Sequence, residues 1–225
     1  MWLVCARRCF SRLPNLASVT LRHCLVVGTA PKTPIVDVFA PLSRLNSLSL
    51  DGVRTANDGL VHLLARVPPA LRSFSYNLPS LLHCPSHARV ISTFLVEHSH
   101  SLATVELLDE ASPSQIGTLL AEVGQFDAAL AQLANLRALA VGPAVLGPST
   151  GVLTAFARLQ ELEVKQGAAR PVRQLGPAVI AEAVTRVGTL RRVALPETVV
   201  RSWSGYEWRG LQAAADDQNV HLVVG

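Results

Sequence analysis

The sequence predicts an α/β solenoid built on one parallel sheet, and three observations lead there. A leucine followed by apolar residues three and five positions later recurs seven times, beginning at Leu16 (LASVTL), Leu45 (LNSLSL), Leu71 (LRSFSY), Leu102 (LATVEL), Leu136 (LRALAV), Leu159 (LQELEV) and Leu190 (LRRVAL). Within each copy the apolar positions alternate with polar or small ones, the pattern of a half-buried strand. Between copies, apolar residues return every three or four positions, as on an amphipathic helix. No such unit can bury its apolar face alone, so the copies must stack. Successive anchors lie 29, 26, 31, 34, 23 and 31 residues apart, which describes one domain of about seven to eight degenerate units over residues 1–225. A doubly wound α/β sheet is the competing architecture. It is disfavoured because no strand is followed by a glycine-rich phosphate loop and all the strands share one template.

The chain opens on a short apolar stretch, MWLVCARRCF, where a solenoid needs a polar cap, so an array entered from its interior is expected. Strands follow at each anchor. Val90, Ile91, Phe94 and Leu95 predict a helix between the third and fourth strands. Ile116, Leu119, Leu120, Val123, Leu130 and Leu133 predict a longer one before the fifth, with Ser112, Pro113 and Gln115 as a capping box carrying proline at the first helical position. The uncharged run between Arg137 and Arg158 is twenty residues, the length of a membrane span. Its glycines and prolines, from Gly142 to Gly151, divide it instead into strand, turn and helix start. Val179, Ile180, Ala183, Val184 and Val187 form the next helical stripe. Trp203, Tyr206 and Trp208 then introduce a closing unit whose strand alternates at Val220, Leu222 and Val224. These aromatics fit a cap over the last repeat better than a binding hot spot.

LASVTLRHC, from Leu16 to Cys24, matches the pattern LxxLxLxxN/C, and the chain thereby resembles the leucine-rich repeat family, in its ribonuclease-inhibitor-like and F-box-associated forms. The place of Cys24 is taken in later copies by Val53, Pro79, Glu110, Ala144, Gly167 and Thr198, so the cysteine or asparagine ladder is limited to the first. WRGLQAAADDQNVHLVV, from Trp208 to Val224, is similar to the last unit of many fungal F-box repeat proteins. The resemblance implies a concave parallel sheet, convex helices and a non-catalytic protein-interaction scaffold, most specifically the substrate-recognition repeats of an F-box-like ubiquitin ligase receptor. Leu13-Pro14 is the one hint of an F-box opening, and it runs directly into a strand. A regulatory or inhibitory repeat binder, or a receptor fragment, unrelated to ubiquitination is the alternative.

In that fold the residues two, four and six after each anchor line the concave face. The early copies supply hydroxyls, and the fifth supplies Ala138, Ala140 and Gly142. Arg22, Asp51, Asn77, Glu106, Glu161, Glu163, Lys165 and Arg192 are the candidate partner-binding residues. They serve a protein or peptide ligand, for instance a cullin-ligase substrate, or they merely keep a solvated sheet soluble. Three cations against four anions make this face about neutral, which argues against nucleic acid there although the net charge is +4 and the pI about 9.2. The positive excess is expected on helices and loops, with Arg54, Arg66, Arg170 and Arg173 as convex candidates.

Other functions find little support. No GxSxG elbow, P-loop, HExxH or dinucleotide fingerprint occurs, so neither catalysis nor a cofactor is expected. Asp109-Glu110 and Asp216-Asp217 are adjacent pairs that suit a helix start or a surface. Cys5, Cys9, His23 and Cys24, and later His83, Cys84 and His87, lack the CxxC spacing of a zinc site. On a strand His23 and Cys24 would also point to opposite faces. They read as packed cysteines and surface histidines, and His98, Ser99 and His100 as loop residues. Mean hydropathy is +0.33, yet no membrane insertion is expected. Arg7, Arg8 and Arg12 interrupt any secretory signal. Four cysteines in such a chain suggest free thiols in a reducing compartment, cytoplasm or nucleus.

Overall fold

A computed structural model describes residues 8–27, 38–56, 59–78, 86–109, 126–142, 145, 151–165 and 176–225, and the fold below is that of these residues. Ten strands are present: β1 (Ser18–Arg22), β2 (Leu25–Val27), β3 (Ser47–Asp51), β4 (Arg54–Ala56), β5 (Ser73–Leu78), β6 (Thr104–Asp109), β7 (Ala138–Val141), β8 (Glu161–Val164), β9 (Arg192–Leu195) and β10 (His221–Val224). Eight of them form one sheet in the order β1-β3-β5-β6-β7-β8-β9-β10, every neighbouring pair parallel. Sequential order without reversal is the signature of a solenoid and not of a doubly wound sheet. The architecture is consistent with a leucine-rich-repeat-like fold.

The leucine template sets the register. Ser18, Ser47, Ser73, Thr104, Ala138, Glu161 and Arg192, each two residues after an anchor, stand side by side, and His221 of β10 completes the row. Side chains three and five after the anchor point the other way into the core. Leu48, Leu50, Phe74, Tyr76, Val105, Leu107, Leu139, Val141, Leu162 and Val193 among them are fully or almost fully buried. Leu21, on the end strand β1, is only partly covered.

Six helices are described: α1 (Gly59–Leu64), α2 (Ser86–Glu97), α3 (Gly151–Thr154), α4 (Pro177–Arg186), α5 (Glu197–Val200) and α6 (Gly205–Gln218). Their apolar stripes complete the same core. Phe94 of α2 meets Phe74 of β5 with ring centroids 4.6 Å apart, and Ile91, Leu95, Ile180, Ala183 and Val184 are buried alongside. Leu130 and Leu133 are buried beside a helical stretch at 126–130, whereas the capping box at 112–115 and the stripe from Ile116 to Val123 lie outside the described residues. No helix among the described residues is long and apolar enough to cross a membrane.

The structure corrects several expectations. His23 and Cys24 occupy a turn and not a strand, His23 having a positive φ of 47°. The chain uses that turn to start β2, which pairs with β4 in a small second parallel sheet that the template did not foretell. Gly52 makes the matching turn after β3 at φ 59°, a conformation that glycine adopts at no steric cost. His87 and His98 are buried, not superficial: the Tyr76 hydroxyl lies 3.1 Å from His87 Nδ1, and the His98 ring packs against Phe94. His83, Cys84 and Cys5 lie outside the described residues.

The closing unit follows its prediction in part. Ser204 and Glu207 form a reciprocal capping box that starts α6, Asn219 ends it in the left-handed conformation, and β10 returns to the sheet. Trp203 and Trp208 pack on each other and against the core. Tyr206 is 82% exposed and takes no part in the cap.

Candidate functional site

The described helices cover one face of the main sheet, and among the described residues the other face is open. Strand side chains build it, and strands hold their side chains in a tighter geometry than loops. The row four residues after each anchor runs Thr20, Ser49, Ser75, Glu106, Ala140, Glu163, Ala194, Val223. It passes from hydroxyls through two carboxylates to an apolar end.

All eight candidate residues occur on this face or at its strand ends, and the structure joins them into three groups. Arg22 Nε lies 3.7 Å from Asp51 Oδ2, while Asn77 Nδ2 donates to Asp51 Oδ1 at 3.0 Å. In the middle, Ser75 Oγ donates to Glu106 Oε2 at 2.7 Å. Lys165 Nζ stands 3.8 Å from Glu106 Oε1 and 3.1 Å from Glu163 Oε1, so one ammonium serves two carboxylates. Arg192 Nη1 lies 3.9 Å from Glu161 Oε2. The neutrality foreseen from counting is therefore local: each of the seven charges faces an opposite one.

Small residues make the middle group possible. Glu106 on β6 and Glu163 on β8 are separated by β7, whose residue between them is Ala140. Lys165, its backbone N–H fixed to the Val141 carbonyl at 2.8 Å, reaches across β7 to Glu106. A large side chain at 140 would crowd that bridge. The paired side chains are 30–57% exposed, so each pair contributes little to stability, about 0–1 kcal/mol. Their effect is to fix where charges point.

Sequence reasoning missed part of this surface. A cleft of about 200 Å³ sits at the ends of β8, β9 and β10, with Glu163, Lys165 and Arg192 around Ala194, Pro196 and Val223. Val223 falls outside the alternation of Val220, Leu222 and Val224 that marks the closing strand, although Val224 is itself 42% exposed. Ser75, a member of the central group, was recognisable as the fourth residue after Leu71. The expectation that every sixth position is accessible fails at Gly142 and Pro196, which are buried because the sheet ladder continues past them to the Leu107 and Gly225 carbonyls. Of the convex cations, Arg66 occupies a turn after α1, Arg54 lies in β4, and Arg170 and Arg173 fall outside the described residues.

Among the described residues no group of three or more metal-ligating side chains converges. Cys9 and Cys24 are free thiols, and burial pushes the Cys24 thiol above its usual range. The chemistry on offer is hydrogen bonding and charge complementarity.

No protein family and no curated protein matches this sequence. Among solved structures the chain is similar to the leucine-rich repeat-containing protein LegL7 from Legionella pneumophila, at a TM-score of 0.35 and 15% identity over 97% of this chain and 86% of that one. It is also similar to an internalin from Listeria monocytogenes, at a TM-score of 0.25 and 10% identity over 96% and 84% of the two chains.

Proposed function

We propose that the protein is a non-catalytic scaffold that binds a protein or peptide partner on the open face of its sheet. One observation carries this reading: Arg22, Asp51, Asn77, Glu106, Glu161, Glu163, Lys165 and Arg192 are held in three ordered groups on a face that no helix among the described residues covers. Prearranged charges select partners by complementarity more than they add raw affinity. The small residues of β7 and the cleft beside Val223 provide relief into which partner side chains fit. A reducing compartment, cytoplasm or nucleus, suits the free thiols. In its specific form the scaffold is the substrate-recognition part of an F-box-like ubiquitin ligase receptor, a reading supported by the closing unit of helix and strand from Trp208 to Val224.

Affinity capture with the wild-type chain and with a Glu106→Gln, Glu163→Gln, Lys165→Met variant tests both levels. The expected result is that the variant melts like wild type but loses the partner. Equal recovery by both would overturn the open face as the site. Captured material without a cullin or its adaptor would sink the ligase reading and leave the scaffold standing.

A further inference from the structure

The open face is balanced, so the net charge of +4 resides elsewhere, and the described residues gather six arginines along one edge of the sheet. Because all eight strands are parallel, their starts share that edge. The segments leading into β1, β3, β5, β7, β8 and β9 carry Arg12, Arg44, Arg72, Arg137, Arg158 and Arg191, all exposed. Residues 11–17, 40–46, 67–72, 98–103, 131–137, 155–160 and 187–191, which form this edge, contain no Asp or Glu. Six cations exceed the whole chain's excess of four. None of the six faces a carboxylate among the described residues. Arg158 is oriented by a neutral partner instead: its Nη1 donates to Asn135 Oδ1 at 2.7 Å, and Asn135 Nδ2 donates to the His100 carbonyl at 2.7 Å.

The lead-in to β6 supplies no arginine, and there the row opens into a cleft of about 430 Å³. Arg72 and Arg137 flank it, and Ala70, His100, Ser101, Ala103 and Asn135 complete its wall. Two strand spacings of roughly 4.8 Å separate the flanking backbones, about 10 Å in all. Two long guanidinium side chains at that separation can converge on one anion, and guanidinium matches phosphate with paired hydrogen bonds. We propose that this edge docks a phosphorylated segment of a protein partner, with a phosphate seated between Arg72 and Arg137 and further acidic groups along Arg158 and Arg191. Arginine clusters are a general means of reading phosphorylated and acidic segments. Nucleic acid fits less well. The edge offers no exposed phenylalanine, tyrosine or tryptophan for base stacking, and a strand continuing past β9 would meet Asp216 and Asp217 at the end of α6.

The test uses the full chain, a degenerate peptide library with a central phosphoserine, its unphosphorylated counterpart and a homopolymeric single-stranded RNA, all at physiological salt. The phosphorylated library should be retained about tenfold more than the unphosphorylated one. An Arg72→Glu, Arg137→Glu double variant should lose that retention, and Arg72→Gln, Arg137→Gln should lose most of it if the reversal impairs folding. Arg89→Glu with Arg209→Glu, which changes net charge equally near the starts of α2 and α6, should stay within about twofold of wild type. Equal retention of the two libraries, or equal loss in the control variant, would overturn the proposal. Tighter binding of the RNA that disappears in the edge variants would reassign the surface to nucleic acid. The open-face variant should retain phosphopeptide normally, so failure of one surface is distinguishable from failure of the other.

Discussion

Single residues depart from the repeat where burial and backbone geometry override the template. His98 follows the end of α2, where the sequence suggests a loop, yet it is buried against Phe94, and its Nδ1 has no hydrogen-bond partner among the described residues. Burial holds the imidazoles of His87 and His98 below their usual range near 6.5, because the interior disfavours the cation. Both side chains thus fold in the neutral form and take up protons more readily when unfolded. Stability from this source is complete above about pH 6.5 and declines as pH falls through that value toward the lower folded-state pKa values. Melting temperatures measured from pH 7.5 to 5.5 should fall, and His98→Leu should flatten the decline. At pH 7.5 that substitution should be neutral or stabilise by up to about 1 kcal/mol, since it removes an unpaired polar atom without orphaning another. A greater acid sensitivity in the variant would contradict this account. The sequence did not reveal these burials, because histidine has no fixed preference for inside or outside.

Elements were legible wherever their period was long enough to distinguish strand from helix. The seven strands stand where alternation put them, and α2 and α4 follow their three-and-four spacing. The turns at His23 and Gly52 were not legible, because left-handed backbone at a histidine is a tertiary choice, and with them β2 and β4 were missed. The start of α6 is controlled by local chemistry. Ser204 accepts from the Glu207 N–H at 3.3 Å while the Glu207 carboxylate accepts from the Ser204 N–H at 2.7 Å. The Ser204 N–H, with the Ser204 hydroxyl beside it, holds the Glu207 carboxyl below its usual pKa. Ser204→Ala should cost about 1 kcal/mol in urea denaturation. Because α6 packs on α4, the loss should register in global unfolding and not only as fraying. An unchanged midpoint would mean that α6 is held by packing alone.

At the scale of the whole molecule, each unit contacts its neighbours in sequence, so stability is shared through interfaces. Leu139 lies at the centre of β7, between β6 and β8, and is 1% exposed. Leu139→Ala should destabilise by about 2–5 kcal/mol. Since the array would be weakened at its middle, the urea transition should also broaden, with a lower slope than wild type. A sharp transition merely shifted in midpoint would show that the units unfold as one body. The open face was legible as a set of residues, since register follows from the anchors, whereas the pairing among them was not. Sequence reports which positions share a row. It does not report that Lys165, two residues beyond Glu163, turns back across a strand to reach Glu106.

That crossing lysine makes three distant positions a single unit of inheritance. Glu106, Ala140 and Lys165 come from different strands or strand ends, yet the bridge spans β7, where a large side chain at 140 would crowd it. Among descendants of this sequence, a valine or larger residue at 140 should accompany loss of the lysine or of the glutamate, and a retained pair should accompany alanine or glycine.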